Sequence, residues 1–152
     1  MIENKIKVLV LGITGMLGNT VFRVLSGDDQ FDVTGTARSM VTPQLFPKML
    51  SGKVMSGVDI ERIDSLINVL SDIKPQVVIN CIGLVKQLSQ VNNPLIALPL
   101  NALFPHRLAE LCALGNARVI HISTDCVFSG VKGGYSESVV ERYRLGKHVT
   151  LT

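Results

Sequence analysis

The stretch IKVLVLGITGMLGNTVFRVL, residues 6–25, decides the fold. Its first six residues, Ile6 to Leu11, are apolar apart from Lys7, a composition typical of a strand buried on both faces. Gly12, Gly15 and Gly18 follow at three-residue spacing. Apolar residues then recur at helical spacing, at Leu17, Val21, Val24 and Leu25. The stretch therefore predicts a strand, a glycine turn and a helix.

The three glycines fit a site for a pyrophosphate at the start of this helix. Gly12 would permit the tight turn, Gly15 would let the backbone approach the pyrophosphate, and Gly18 would let the helix lie close to the strand. A purely structural strand-to-helix connection is the alternative, but later motifs favour dinucleotide binding. The turn residues predicted to line the cofactor together with the glycines are Thr14, Met16 and Leu17.

Length and composition indicate one domain with a substantial core. The chain has 152 residues, of which 47% are hydrophobic and 18% charged, as expected when a parallel sheet is covered on both faces. No apolar run reaches the ~20 residues of a membrane span. The N-terminal residues lead directly into the first strand, so we expect no signal peptide and a cytoplasmic location, without membrane contact.

Charge and cysteine usage exclude several function classes. The net charge is only +3, from 15 basic and 12 acidic residues, so nothing indicates a nucleic-acid partner. The cysteines, Cys81, Cys112 and Cys126, form no C-x-x-C pair, and we expect them to be reduced and buried. The histidines lack the spacing of metal ligands, so we expect no metal site.

Strands and helices alternate along the rest of the chain. Further strands are predicted at residues 31–37, 53–55, 76–81, 118–122 and 148–152. Helices are predicted at residues 61–71 and 100–114, with Pro105 in the first turn of the second helix or kinking it. This alternation predicts an α/β fold with a doubly wound parallel sheet and the strand order 3-2-1-4-5.

Two positions bear on which dinucleotide is bound. An Asp or Glu ~20 residues past the glycines holds the ribose of NAD, whereas an Arg suits the 2′-phosphate of NADP. Arg38 stands at this position, so NADP(H) is favoured over NAD(H). Asp59, followed by Ile60, precedes a predicted helix and is interpreted either as its N-cap or as a carboxylate near the adenine.

Small and polar residues lie near the end of the fourth strand, at the edge of the sheet where cofactors bind in such folds. Cys81, Ile82 and Gly83 lack bulk, which would allow the cofactor ribose and nicotinamide to pass close by. Asn101 is unusual inside an apolar helix, and it has either a site role or a local backbone hydrogen bond.

Residues 121–130, HISTDCVFSG, carry the most specific pattern in the chain. They resemble S-T-D-x-V-F-x-G, the signature of the dTDP-4-dehydrorhamnose reductase group of extended short-chain dehydrogenase/reductases, and Gly134 to Glu137 resembles the segment that follows it. The resemblance implies a Rossmann domain that binds NADP(H) and reduces a keto group on a nucleotide-linked deoxysugar, for surface polysaccharide synthesis. It also implies that Thr124 is a catalytic hydroxyl.

The family's catalytic Tyr-x-x-x-Lys pair matches Tyr143 and Lys147 in spacing. The resemblance implies that Tyr143 is the general acid, and that Lys147 lowers its pKa and binds the cofactor ribose. The segment between Glu137 and the predicted strand at 148–152 is short for a crossover helix. Either the pair lies in a shortened segment, or the match is accidental.

The family continues into a C-terminal substrate-binding part that this sequence lacks. We therefore expect residues 1–152 to be an NAD(P)-binding Rossmann domain from a fragment or an incomplete chain. The candidate partners are a nucleotide-sugar substrate and a second copy of the chain. Two alternatives stay open: a non-catalytic nucleotide-binding regulatory subunit, and a sugar-nucleotide epimerase or dehydratase of the same superfamily.

Overall fold

Five parallel strands form one sheet in the computed structural model, which describes residues 5–40, 45–84 and 93–123. The strands are β1 (Ile6–Leu11), β2 (Phe31–Ala37), β3 (Val54–Ser56), β4 (Val77–Asn80) and β5 (Arg118–His121). Their order is β3-β2-β1-β4-β5, and every neighbouring pair is parallel. The predicted doubly wound sheet and its strand order are confirmed. The strand predicted at 148–152 lies outside the described residues.

Helices connect consecutive strands. They are α1 (Met16–Ser26), α2 (Lys48–Ser51), α3 (Ile63–Ile73), α4 (Pro94–Leu98) and α5 (Phe104–Leu114), and a π-helical turn (Pro99–Leu103) joins the last two. None of the described helices is long and apolar enough to cross a membrane.

The central strand β1 is buried on both faces. Val8 and Val10 pack in a cluster with Phe22 of α1, whereas Leu9 and Leu11 pack in a second cluster on the opposite face. This second cluster includes the α3 and α5 residues Leu66, Val69, Leu108 and Cys112. Because successive side chains of a strand point to opposite faces, a nearly continuous apolar run fills both layers.

The helix predicted at 100–114 begins earlier than expected. Helical backbone starts at Pro94, where the Asn93 side chain accepts a hydrogen bond from the Leu95 amide at 3.0 Å. Pro94 and Pro99 each occupy the start of a helical segment, and Pro105 lies in the first turn of α5. Proline is tolerated there because the first amides of a helix lack intrahelical partners. The prolines therefore mark starts of helical segments and do not end the helix.

Candidate cofactor site

The turn after β1 adopts a conformation that requires glycine at two positions. Gly12 has φ +83°, and a Cβ there would lie 2.6 Å from Cγ1 of Ile82. Gly18 lies against the Gly12 carbonyl, so a Cβ on Gly18 would overlap that oxygen. These contacts bring the first turn of α1 onto the end of β1, and they bring the turn after β4 beside the turn after β1.

The remaining residues of the glycine turn are exposed. Thr14, Gly15, Met16 and Leu17 all face solvent, and Met16 is 91% exposed. Gly15 is the N-cap of α1 with no side-chain cap, and a Cβ on it would meet only the Gly12 carbonyl, at 3.5 Å. The amino end of α1 is therefore open along its approach, which is the arrangement that accepts a phosphate at a helix N-terminus.

Arg38 and Asp59 follow β2 and β3 at the same edge of the sheet. Arg38 is exposed, and no carboxylate among the described residues forms an ion pair with it. The interpretation of Asp59 as the cap of α3 is wrong, because α3 begins at Ile63 with Arg62 as its N-cap. Asp59 instead accepts a hydrogen bond from the Glu61 amide at 3.1 Å, which stabilises the turn before the helix.

Ile60 lines a small cavity on the α3 side of the sheet. The cavity has a volume of about 90 Å³, and it lies between the start of α3 and the π-helical turn. Its other lining residues include Glu61, Leu66, Phe104 and Arg107. Ile60 therefore contributes to a recess of mixed polar and apolar lining next to Asp59, where the adenine contact was predicted.

Asn101 holds the segment that follows β4. Its Oδ1 accepts a hydrogen bond from the Leu84 amide at 2.8 Å, and its Nδ2 donates to the Leu84 carbonyl at 3.0 Å. Of the two alternatives for Asn101, the hydrogen bond to the backbone is present, but it is not local, since the two residues are 17 positions apart. Asn101 lies in the π-helical turn, a local irregularity that is frequent at functional sites.

Sequence reasoning missed a partly buried polar pair beside this segment. Asn80 at the end of β4 is fully buried, and its Nδ2 lies 3.0 Å from Nδ1 of His121 at the end of β5. Its Oδ1 accepts a hydrogen bond from the Ile82 amide at 3.0 Å. An asparagine that ends an otherwise apolar strand could have indicated this pair, because a buried amide needs partners.

The described cysteines are free thiols in apolar surroundings. Burial raises the pKa of the Cys81 thiol, and it raises the pKa of Cys112 to about 11. Both thiols are therefore protonated at neutral pH, and Cys81 can contribute only a small neutral side chain to the site. Cys126 lies outside the described residues.

Within residues 5–40, 45–84 and 93–123, no group of three or more histidines, cysteines or carboxylates could hold a metal ion. The predicted catalytic residues Thr124, Tyr143 and Lys147 lie outside this part of the chain. At the carboxyl edge of the sheet, the structure brings together the predicted cofactor-binding residues other than Lys147. These are the glycine turn, Arg38, Asp59, Ile60, Cys81, Ile82, Gly83 and Asn101.

The sheet order and the glycine turn between β1 and α1 define a Rossmann-like α/β fold. Comparison with known proteins then gives the family. The model of the RmlD substrate binding domain matches residues 6–140, so the chain belongs to this family. The resemblance to dTDP-4-dehydrorhamnose reductases inferred from residues 121–130 is thereby confirmed.

Two curated relatives are similar to this chain. A dTDP-4-dehydrorhamnose reductase of Mycobacterium tuberculosis (strain H37Rv) is 45% identical over 58 residues, 38% of this chain and 19% of that protein. Methionine adenosyltransferase 2 subunit beta of Xenopus laevis is 27% identical over 134 residues, 88% of this chain and 37% of that protein. The chain thus matches well under half of the length of these curated relatives.

The fold matches solved structures over most of the described chain. A dTDP-4-dehydrorhamnose reductase from Bacillus anthracis, solved in complex with NADP, superimposes with a TM-score of 0.63 and 24% sequence identity. The match covers 85% of this chain and 40% of that one. This similarity establishes a common fold.

Proposed function

We propose that this chain supplies the NADP(H)-binding part of a reductase acting on a keto group of a nucleotide-linked deoxysugar. One observation carries the proposal. The open amino end of α1, the exposed Arg38 and the turn after β4 all lie at the carboxyl edge of one parallel sheet. Dinucleotides bind at this edge in Rossmann folds, at the point where the strand order reverses.

The described residues fit the cofactor on physical grounds. The first amides of α1 carry no side-chain cap and no acidic residue in the first turn, so they can donate to a pyrophosphate. The place that a Cβ of Gly15 would fill is open for close approach. Arg38 would bind the 2′-phosphate, and Asp59 and Ile60 would contact the adenine. The Cys81–Gly83 turn would contact the ribose and nicotinamide, with Asn101 beside it.

The proposed chemistry needs a hydride donor and a proton donor. NADPH supplies the hydride when bound. Thr124 would donate a hydrogen bond to the ketone oxygen, and Tyr143 would transfer a proton to it. Lys147 would stabilise the phenolate of Tyr143 and bind the cofactor ribose. A role in surface polysaccharide synthesis follows from this substrate class.

The choice of cofactor is testable through Arg38. We expect the chain to bind NADPH about tenfold or more tightly than NADH, because a guanidinium makes charge-assisted hydrogen bonds to a phosphate. Arg38→Ala should reduce the difference between the two affinities, mainly by weakening the binding of NADPH. The measurement is a fluorescence titration with both cofactors.

Arg118→Ala is the matched control for this titration. Arg118 is also exposed, but it begins β5 at the opposite edge of the sheet. We expect this variant to keep the full preference for NADPH over NADH. Equal affinities of the unmodified chain for NADPH and NADH would refute the assignment of Arg38.

A regulatory subunit is the second candidate, favoured by the match to methionine adenosyltransferase 2 subunit beta over 88% of this chain. Such a subunit would bind the dinucleotide through the same site without turning over a keto sugar. The two candidates differ in the role of Tyr143 and Lys147, which would be catalytic in a reductase and would have no catalytic role in a regulatory subunit. In a form supplied with a family C-terminal part, Tyr143→Phe should abolish turnover if the protein is a reductase, and it should leave NADPH affinity unchanged in either case.

A further inference from the structure

The carboxyl ends of β4 and β5 are joined by a side-chain pair as well as by the backbone. Asn80 and His121 are direct partners in the parallel ladder, and the Ile122 amide donates to the Asn80 carbonyl at 3.1 Å. Both side chains lie on the face covered by α5, since Val78 and Val119, two residues before each, pack in the cluster on that side.

The direction of the hydrogen bond between the two side chains follows from a neighbouring amide. The Ile82 backbone N–H can only donate, so the Asn80 atom that it meets is Oδ1. The atom that faces His121 is therefore Nδ2, which also can only donate. Nδ1 of His121 must accept, which requires a neutral imidazole with its proton on Nε2. A protonated ring would place two donors against each other.

The surroundings of His121 favour the same neutral form. Burial lowers the pKa of His121, and the nearby His106 lowers it further. The charged or titratable side chains of α5, the helix packed on β5, are His106, Arg107, Glu110 and Cys112, and β4 carries none. His106 is the member of this set that acts on His121 by its charge, in the same direction as burial.

We propose that Asn80 and His121 are positioning residues that hold the nicotinamide side of the cofactor site in place only while His121 is neutral. The inference rests on the proposed function, which assigns the Cys81–Gly83 turn to the cofactor. Asn80 fixes that turn through the Ile82 amide and ties it to β5 through His121. Ile82 in turn lies against Gly12, so a displaced turn would also disturb the glycine turn.

The tautomer is the first test, and it needs no cofactor. Long-range ¹H–¹⁵N correlation spectra of the labelled chain at pH 7.5 should show His121 with an unprotonated Nδ1 and a protonated Nε2. His121→Gln removes the signals of this ring and so assigns them. A ring protonated on Nδ1, or one that exchanges freely between tautomers, would overturn the pair.

The pH dependence of stability is the second test. The pKa of His121 is lower in the folded state than in the unfolded state. The contribution of neutral His121 to the free energy of unfolding is therefore fully present above about pH 6.5, and it is lost as the pH falls through the folded-state pKa. Asn80→Asp should reverse this dependence. The new carboxylate can still accept from the Ile82 amide, and its negative charge beside Nδ1 favours the protonated, positively charged ring. The melting temperature of this variant should therefore fall less than that of the unmodified chain between pH 8 and pH 5.5.

Cofactor affinity is the third test, and it separates positioning from mere stability. We expect NADPH binding to the unmodified chain to weaken about three- to tenfold more than binding to Asn80→Asp between pH 8 and pH 5.5. The 2′-phosphate of NADPH titrates near pH 6 whichever variant is present. Its effect on affinity is therefore the same for all variants and cancels when two variants are compared. His106→Gln leaves the pair intact but removes a charge that lowers the pKa of His121, so its affinity profile should have the same shape as that of the unmodified chain and lie at slightly higher pH.

Each outcome bears on a distinct claim. Parallel pH profiles for the unmodified chain and Asn80→Asp would overturn the positioning role even if NADPH binds well. If Asn80→Asp fails to fold, His121→Gln decides, because its Oε1 can accept from Asn80 without titrating and its affinity profile should be flatter by the same factor. A chain that shows the expected tautomer but does not bind NADPH would refute the proposed function and, with it, the positioning role.

Discussion

At the scale of single residues, the glycine turn separates stability from ligand binding. Gly18 lies against the Gly12 carbonyl, whereas the space above Gly15 is open except for that same oxygen at 3.5 Å. Backbone cannot move aside as a flexible side chain can, so Gly18→Ala should lower the free energy of unfolding by about 1–3 kcal/mol. Gly15→Ala, at a φ of −77°, should fold with nearly unchanged stability.

For cofactor binding, the sensitive position is Gly15 and not Gly18. A methyl group at Gly15 would occupy the space through which the pyrophosphate approaches, so Gly15→Ala should weaken NADPH binding about tenfold or more. The melting temperature of this variant should stay near that of the unmodified chain. Thermal unfolding and fluorescence titration measure the two effects. Unchanged affinity in Gly15→Ala would mean that the pyrophosphate does not lie at this turn.

At the scale of elements, the π-helical turn holds the segment after β4 through a single side chain. Asn101→Ala removes both hydrogen bonds to the backbone of Leu84. Because each such bond contributes about 0.5–1.5 kcal/mol, hydrogen exchange at the Leu84 amide should accelerate roughly five- to a hundredfold. The Ile82 amide is the internal control, since it is bonded to Asn80. Equal acceleration at both amides would show global destabilisation and not a local clamp.

At the scale of the whole molecule, cofactor binding and turnover should separate. The 152-residue chain matches 40% of the Bacillus anthracis reductase and 37% of the Xenopus laevis subunit. Positioning a ketone beside a hydride donor accounts for many orders of magnitude in rate, and it depends on residues that bind the sugar nucleotide. In an open site, water also weakens the electrostatic stabilisation that the protein gives to a developing alkoxide.

We therefore expect the 152-residue chain to bind NADPH without reducing a keto-sugar nucleotide at an enzyme-like rate. The assay follows NADPH absorbance with dTDP-4-dehydrorhamnose, with the Mycobacterium tuberculosis reductase as positive control. Supplying a family C-terminal part should restore turnover. Brisk turnover by the chain alone would place the substrate site within these 152 residues.

The sequence determined the layered architecture of this protein. The apolar run of β1 predicted burial on both faces, and the three glycines predicted the turn onto α1, because backbone freedom and periodicity are local properties. Strand order followed from the alternation of elements and the handedness of crossovers. The pattern around residues 121–130 indicated the family that the comparison then established.

Only the tertiary structure decided the polar contacts that connect these elements. Asn101 meets Leu84, and Asn80 meets His121, across sequence separations of 17 and 41 residues. Such partners depend on the register of the strands and on the path of the π-helical turn, which no local pattern encodes. The prolines at 94, 99 and 105 were equally ambiguous, because proline both ends a helix and begins one, and only the observed backbone distinguishes the two.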